Sequence, residues 1–143
     1  MTAKLLEVAG LTAEFTHRGQ VIPALRGIGF TVAPGEAVGF VGESGCGKSV
    51  MARAIMRLAP EGSSVRLGGV VRFQGTDLMQ AREAEMRDIR GSRIAMVFQD
   101  PMTSLNPVMT IGAQMADMSR AHTGLSAHQA RARVLELLDD VGI

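Results

Sequence analysis

Apolar residues dominate Lys4 to Phe15 (KLLEVAGLTAEF), a polar turn follows at His17-Arg18-Gly19-Gln20, and strand-like patterns resume at Val21 to Leu25 and Ile28 to Val32. Extended runs separated by turn residues predict a small antiparallel sheet. Pro34-Gly35 marks another turn, and Glu36 to Val41 (EAVGFV) then has the length and composition of a buried strand. From Lys48 the apolar residues Val50, Met51, Ala54, Ile55 and Leu58 recur at helical spacing until Ala59-Pro60-Glu61-Gly62 stops the pattern. Val65 to Phe73 predicts a further strand region, interrupted at Gly68-Gly69. Ala84 to Arg90 predicts a short helix whose mixed charges form a solvated face, with Gly91 as its stop. Arg93 to Phe98 (RIAMVF) is a second buried-strand candidate and leads into the loop Gln99 to Pro107. Two helices finish the chain. The second starts at Ser126, has Gln129 three residues on as in a capping box, and sets Val134, Leu135, Leu138 and Val141 on one face.

Composition narrows the class. At 143 residues, with 46% hydrophobic and 20% charged, the chain fits one soluble globular domain or part of a larger one. Fifteen basic residues against 14 acidic ones leave a formal charge of +1, which argues against the broad positive footprint of a nucleic-acid binder. Cys46 is the only cysteine, so no internal disulfide is possible, and no signal-like apolar segment follows Met1; a reducing cytosolic location is the expectation. No apolar run approaches the roughly 20 residues that span a bilayer, so a membrane role would come through a partner. Seventeen glycines, five Phe and no Trp or Tyr point to tight turns more than to an aromatic core.

The most specific chemistry lies between the predicted strand 36–41 and the helix that begins at Lys48. Gly42-Glu43-Ser44-Gly45-Cys46-Gly47-Lys48-Ser49 fits G-x-x-x-x-G-K-S/T, the Walker A pattern, at every fixed position. Glycines allow the loop to aim successive backbone N–H groups at phosphate oxygens through conformations costly for residues bearing a Cβ. The helix adds the positive end of its dipole, Lys48 an ammonium for the β- and γ-phosphates, and Ser49 a hydroxyl that can ligate magnesium. ATP with Mg²⁺ is the implied ligand, and Gly42, Glu43, Ser44, Gly45, Cys46, Gly47, Lys48, Ser49 and the adjoining Val50 are its candidate contacts. Cys46 is read as lining the loop through its backbone. His17, His122 and His128 lack metal-ligand spacing and are read as surface residues.

Walker A is shared by several nucleotide-binding classes, and the downstream text discriminates among them. Phe98-Gln99-Asp100-Pro101-Met102-Thr103-Ser104-Leu105-Asn106-Pro107, together with GESGCGKS, resembles the Q-loop and Walker A of ABC transporter ATPases. The branch it is most similar to serves dipeptide, oligopeptide and nickel importers. The resemblance covers nearly the whole chain. It implies an α/β P-loop NTPase fold: a partial ABC ATPase domain with an N-terminal antiparallel β-subdomain and nucleotide-binding core (about 1–107) and the start of a helical subdomain (about 108–143).

Carried onto this sequence, the resemblance makes Gln99 the residue that joins Ser49 around magnesium, and Lys48 and Gln99 the only catalytic candidates in the chain. Phe15 would stack on adenine, with an ordinary core phenylalanine as the alternative. Met102, Met109, Met115 and Met118 would lie in the subdomain facing a permease, with core packing the favoured reading of their role. The implied partners are transmembrane permease subunits, a second ATP-binding subunit and, indirectly, an extracytoplasmic solute-binding protein. The implied place is peripheral, on the cytoplasmic face of the inner membrane, where ATP hydrolysis drives solute import, with peptide the expected solute. The family's signature, Walker B acids and switch histidine do not occur in these 143 residues. Leu135 to Asp140 (LELLDD) reads as helix, because Glu136 interrupts the run and the apolar spacing is helical. An N-terminal fragment that binds nucleotide without efficient hydrolysis is therefore the expectation. An ABC ATPase of another transport or non-transport system, or a non-catalytic nucleotide-binding fragment, stays open. A G protein is disfavoured by the absence of N-K-x-D.

Overall fold

The inward and outward alternation of side chains slips three times within the first 32 residues, at Gly10, at Gly27 and at Ala24. On β1 (Leu6–His17), Val8 is buried, yet so are Leu11 and Ala13, which a strict two-residue period from Val8 would turn outward. The slip is a β-bulge. Against β3 (Ser64–Phe73), Ala9 stands opposite Val70 and Thr12 opposite Gly68, so Gly10 and Leu11 together face Gly69. Gly10 has φ 61° and Gly69 φ 92°, both in the region that favours glycine. On β2 (Gln20–Val32), Leu11 pairs with Ile28 but Thr12 with Arg26, leaving Gly27, at φ 93°, as the extra residue. The runs Val21 to Leu25 and Ile28 to Val32 are thus one bent strand, and Gly68-Gly69 bends β3 without interrupting it. A short β4 (Thr76–Asp77) completes an antiparallel sheet in the order β2-β1-β3-β4.

This computed structural model describes residues 4–17, 19–58, 64–98 and 105–143, without the side chain of His17. The chain forms two compact units, Met1–Arg90 and Gly91–Ile143. In the first, α1 (Lys48–Ile55) packs on β1 and β2, burying Met51, Ala54 and Ile55 at i, i+3 and i+4 spacing. The second helix, α2 (Glu83–Ile89), buries Met86 and Ile89 and leaves its charges to solvent, as its sequence suggested.

Helical spacing predicted that α1 would run to Leu58, but it stops at Ile55. The Leu58 N–H donates to Arg53 O (2.9 Å) and the Arg57 N–H to Ala54 O (3.0 Å), the bond pair of a Schellman end. Arg57, at φ 53°, occupies the left-handed position usually given to glycine, at a cost of about 1–2 kcal/mol. Its guanidinium offsets that cost by donating to Leu78 O (3.1 Å) and Ala81 O (2.5 Å).

Glu36 to Val41 is not a strand. Val38 and Phe40 are exposed and Val41 fully so, although Phe40 meets Phe30 edge-on at 4.7 Å between ring centroids. A buried strand requires hydrogen-bonding neighbours, and none of the strands among the described residues pairs with this run. Within the second unit, Arg93 to Phe98 departs from expectation in the same way: no strand forms and Val97 is fully exposed.

The second unit carries α3 (Ile111–Thr123) and α4 (Ala127–Asp140), packed on each other. Gly124, at φ 68°, ends α3. The predicted capping box opens α4: Ser126 Oγ accepts from Gln129 N (3.4 Å), and Ser126 N donates to Gln129 Oε1 (3.0 Å). The helical reading of Leu135 to Asp140 holds, but the predicted apolar face is corrected. Ala130 and Val134 are buried, whereas Leu135 and Val141 are exposed, because the contact with α3 takes a narrower stripe than four apolar residues would cover. Ser126→Ala should destabilise this helix pair by about 1 kcal/mol, read as a lower urea midpoint of the helical signal at unchanged slope.

Candidate functional site

The loop Gly42–Gly47 turns back on itself and hands the chain to α1 through two residues of positive φ, Gly45 at 81° and Gly47 at 97°. Gly47 is the N-cap of α1, and its carbonyl accepts the first helical bond from Met51 N at 2.8 Å. A Cβ on Gly47 would lie 3.1 Å from both Ala24 O and Leu25 Cδ2, and one on Gly42 would lie 2.8 Å from Cys46 Sγ. These glycines therefore let the loop seat against β2 and turn tightly around Cys46. The first turn of α1 carries no acidic residue, so the positive end of its dipole is not offset where an anion would sit.

Lys48 reaches back across the loop. Its Nζ donates to Gly42 O and Glu43 O, each at 2.7 Å, and lies 3.4 Å from Cys46 Sγ. Two carbonyls thus hold the ammonium over the loop, where phosphate oxygens of stronger negative charge could take their place. Cys46 and Ser49 are exposed, and Lys48 and Val50 half-buried. The positions expected to line a phosphate site, Gly42, Glu43, Ser44, Gly45, Cys46, Gly47, Lys48 and Ser49, do form one continuous loop and helix start.

Beside it opens a cavity of about 330 Å³, at the lower end of the range for small-molecule sites. Ser49, Val50, Arg53, Ala54, Arg57 and Leu58 line it from the α1 side, and Ala13, Phe15, Val65 and Leu67 from the sheet. Phe15 is half-buried, in register with Ile22 and Val65, and shares this cavity with Ser49 and Val50. Sequence reasoning missed Arg53 and Arg57. For Arg53 the signal that could have placed it on that side is its spacing of four residues from Ser49 on a helical pattern, whereas Arg57 lies past the last residue of α1.

Gln99 and Met102 lie outside the described residues. In the second unit, Met109, Met115 and Met118 line an apolar groove with Leu105 and Leu137. Core packing, the favoured reading for these methionines, is corrected: Met109 and Met118 are exposed and Met115 half-buried. His122 and His128 are exposed, as expected. Among the described residues no helix is long and apolar enough to cross a membrane.

A Brucella abortus (strain 2308) chain named "putative peptide import ATP-binding protein" is 51% identical over 142 residues, 99% of this chain and 42% of that protein. The oligopeptide transport ATP-binding protein OppD of Bacillus subtilis (strain 168) is 44% identical over 140 residues, 98% of this chain and 39% of its own length. The chain thus spans about two fifths of the length of these relatives. Among solved structures, the ATP-binding cassette MJ0796, in a dimeric post-hydrolysis state bound to ADP and Pi, superposes with a TM-score of 0.76 at 26% identity. The match covers 94% of this chain and 56% of that one. The sequence model of the ABC transporter family matches residues 25–143, a span that holds the glycine-rich loop Gly42–Gly47, α1 and both helices of the second unit, and the chain belongs to that family.

Proposed function

We propose that this chain carries the nucleotide-binding part of the ATP-binding subunit of an ABC importer whose solute is peptide. The observation that carries the reading is the placing of Lys48 over a glycine-hinged loop at a helix start, with the Phe15 cavity beside it. The triphosphate would lie along Gly42 to Ser49, with Lys48 on its β- and γ-phosphates, and the base would enter the cavity against Phe15 and Val50. Magnesium, when bound, would neutralise phosphate charge; the Ser49 hydroxyl, together with Gln99, would hold it. The solute follows from the names of the relatives, which span peptide and oligopeptide transport.

The same reading assigns residues 1–107 to the β-subdomain and nucleotide core and 108–143 to the start of a helical subdomain. Partners would be permease subunits, a second ATP-binding subunit and, through the permease, a solute-binding protein. The place of action would be the cytoplasmic face of the inner membrane. For the 143-residue chain itself the expectation is binding with negligible turnover, because water activation in phosphoryl transfer needs a positioned acceptor beyond the phosphate clamp.

The test is calorimetric titration with ATP plus magnesium, GTP as comparison, and Phe15→Ala as variant. Losing a base–aromatic stack should weaken ATP about tenfold, using roughly 1–3 kcal/mol per stacked base. Absence of ATP binding by the unsubstituted chain overturns the function, and an unchanged affinity in Phe15→Ala removes Phe15 from the site.

A further inference from the structure

The cavity beside the phosphate loop is bounded on one side by the last turn of α1, and that turn is held by two arginines. Arg57 Nη1 donates to Leu78 O and Ala81 O, on the segment leading into α2. Arg90, just past the end of α2, returns the contact: its Nε donates to Met56 O (2.8 Å) and its Nη2 to Arg57 O (3.2 Å). Those carbonyls lie past the last helical residue, where the helical ladder has ended. Glu83, in the first turn of α2, pairs with Arg90 and stands 4.0 Å from Arg57 Nη2. Both side chains are largely shielded from solvent, with exposures of 26% for Arg57 and 21% for Arg90.

Resting on the nucleotide reading above, we infer that Arg57 and Arg90 form a clasp that fixes the α1 wall of the nucleoside cavity, making them positioning residues for the nucleoside rather than the triphosphate. The phosphate loop enters α1 at Gly47, whereas the clasp acts at Met56 and Arg57, more than two helical turns away. The loop keeps its own bonds, from Lys48 to Gly42 and Glu43, whatever happens at the far end. The cavity has no such independence, since Arg53, Ala54, Arg57 and Leu58 are themselves its wall and face Phe15 and Val65 across it. A wall free to shift no longer presents a preformed slot, and the lost preorganisation falls on the part of the ligand that fills the slot.

Arg57→Gly separates this role from folding. Glycine is the residue the left-handed helix end favours, so the backbone gains while the guanidinium is lost. The experiment measures calorimetric affinities for MgATP and for magnesium tripolyphosphate, which has the phosphates without the nucleoside, in the unsubstituted chain, Arg57→Gly, Arg57→Lys and Arg90→Gln. The expected result is a loss of about tenfold in ATP affinity for Arg57→Gly and Arg90→Gln, about 1.4 kcal/mol, with tripolyphosphate affinity unchanged. Arg57→Lys, which keeps a donor for one carbonyl, should recover part of the difference. An unchanged ratio of the two affinities in Arg57→Gly and Arg90→Gln would overturn the clasp while leaving nucleotide binding intact. Failure of the unsubstituted chain to bind ATP would overturn the nucleotide reading and the clasp with it.

Discussion

Lys48→Ala is expected to weaken MgATP binding by at least about 100-fold while moving the melting temperature of the ligand-free chain by no more than a few degrees. Without ligand, Lys48 donates to two carbonyls on an exposed loop, and such bonds contribute little because water competes for both partners. Against phosphate the same ammonium makes charge-assisted bonds worth roughly 1.5–3 kcal/mol each. Losing two of them exceeds the 2.7 kcal/mol that corresponds to a factor of about 100. The consequence shows in a thermal-shift titration. ATP at about 100 times its dissociation constant should add about 2.7 kcal/mol to the unsubstituted chain, a rise of several degrees, but at most about 0.4 kcal/mol to the variant at the same concentration. Equal stabilisation of the two chains would mean that nucleotide binds elsewhere.

The turn of the Gly42–Gly47 loop into α1 was legible in the sequence because its pattern is local. Glycines at positions of positive φ, a lysine at the helix start and a hydroxyl beside it have to be neighbours in the chain, and spacing alone reveals them. Capping is local in the same sense, and the Ser126-Gln129 pair was read correctly. Glu36 to Val41 and Arg93 to Phe98 misled for the opposite reason. An apolar run states what a segment would do if neighbours covered it, and no strand among the described residues pairs with either one. The cavity was half legible. Phe15 could be proposed from resemblance, but Arg57 enters the wall through a left-handed helix end, and nothing in an arginine's identity announces that conformation. Arg90 was hidden more deeply, since its bonds to Met56 O and Arg57 O join residues more than 30 positions apart.

Gly69→Ala should cost about 3–5 kcal/mol in folding stability, the largest effect expected of any single methyl added to this sheet. At φ 92° the backbone of Gly69 is strained for any residue with a Cβ, and the added atom would lie 2.4 Å from Gly10 O, 2.6 Å from Gly10 C and 2.8 Å from Leu11 N. All three are backbone atoms of the facing strand, held by its own ladder, so relief requires β1 to move. Gly68→Ala is the control. Its Cβ would meet Thr12 Oγ1 at 2.6 Å, the tip of a side chain that can rotate away, and its backbone lies outside the positive-φ region. A cost of about 1 kcal/mol or less is expected there. Urea unfolding of the two variants side by side makes the comparison, and equal midpoints would show that the bulge gives way freely. The bulge also has a functional reach. It shifts the phase of β1 so that Ala13 and Phe15 turn to the cavity that α1 lines from the other side. Where Gly69→Ala folds by displacing β1, Phe15 loses its place in the cavity, and ATP affinity should fall toward that for tripolyphosphate while the phosphate loop still binds both. A Gly69→Ala chain that keeps the full preference for ATP would show that the bulge does not position Phe15.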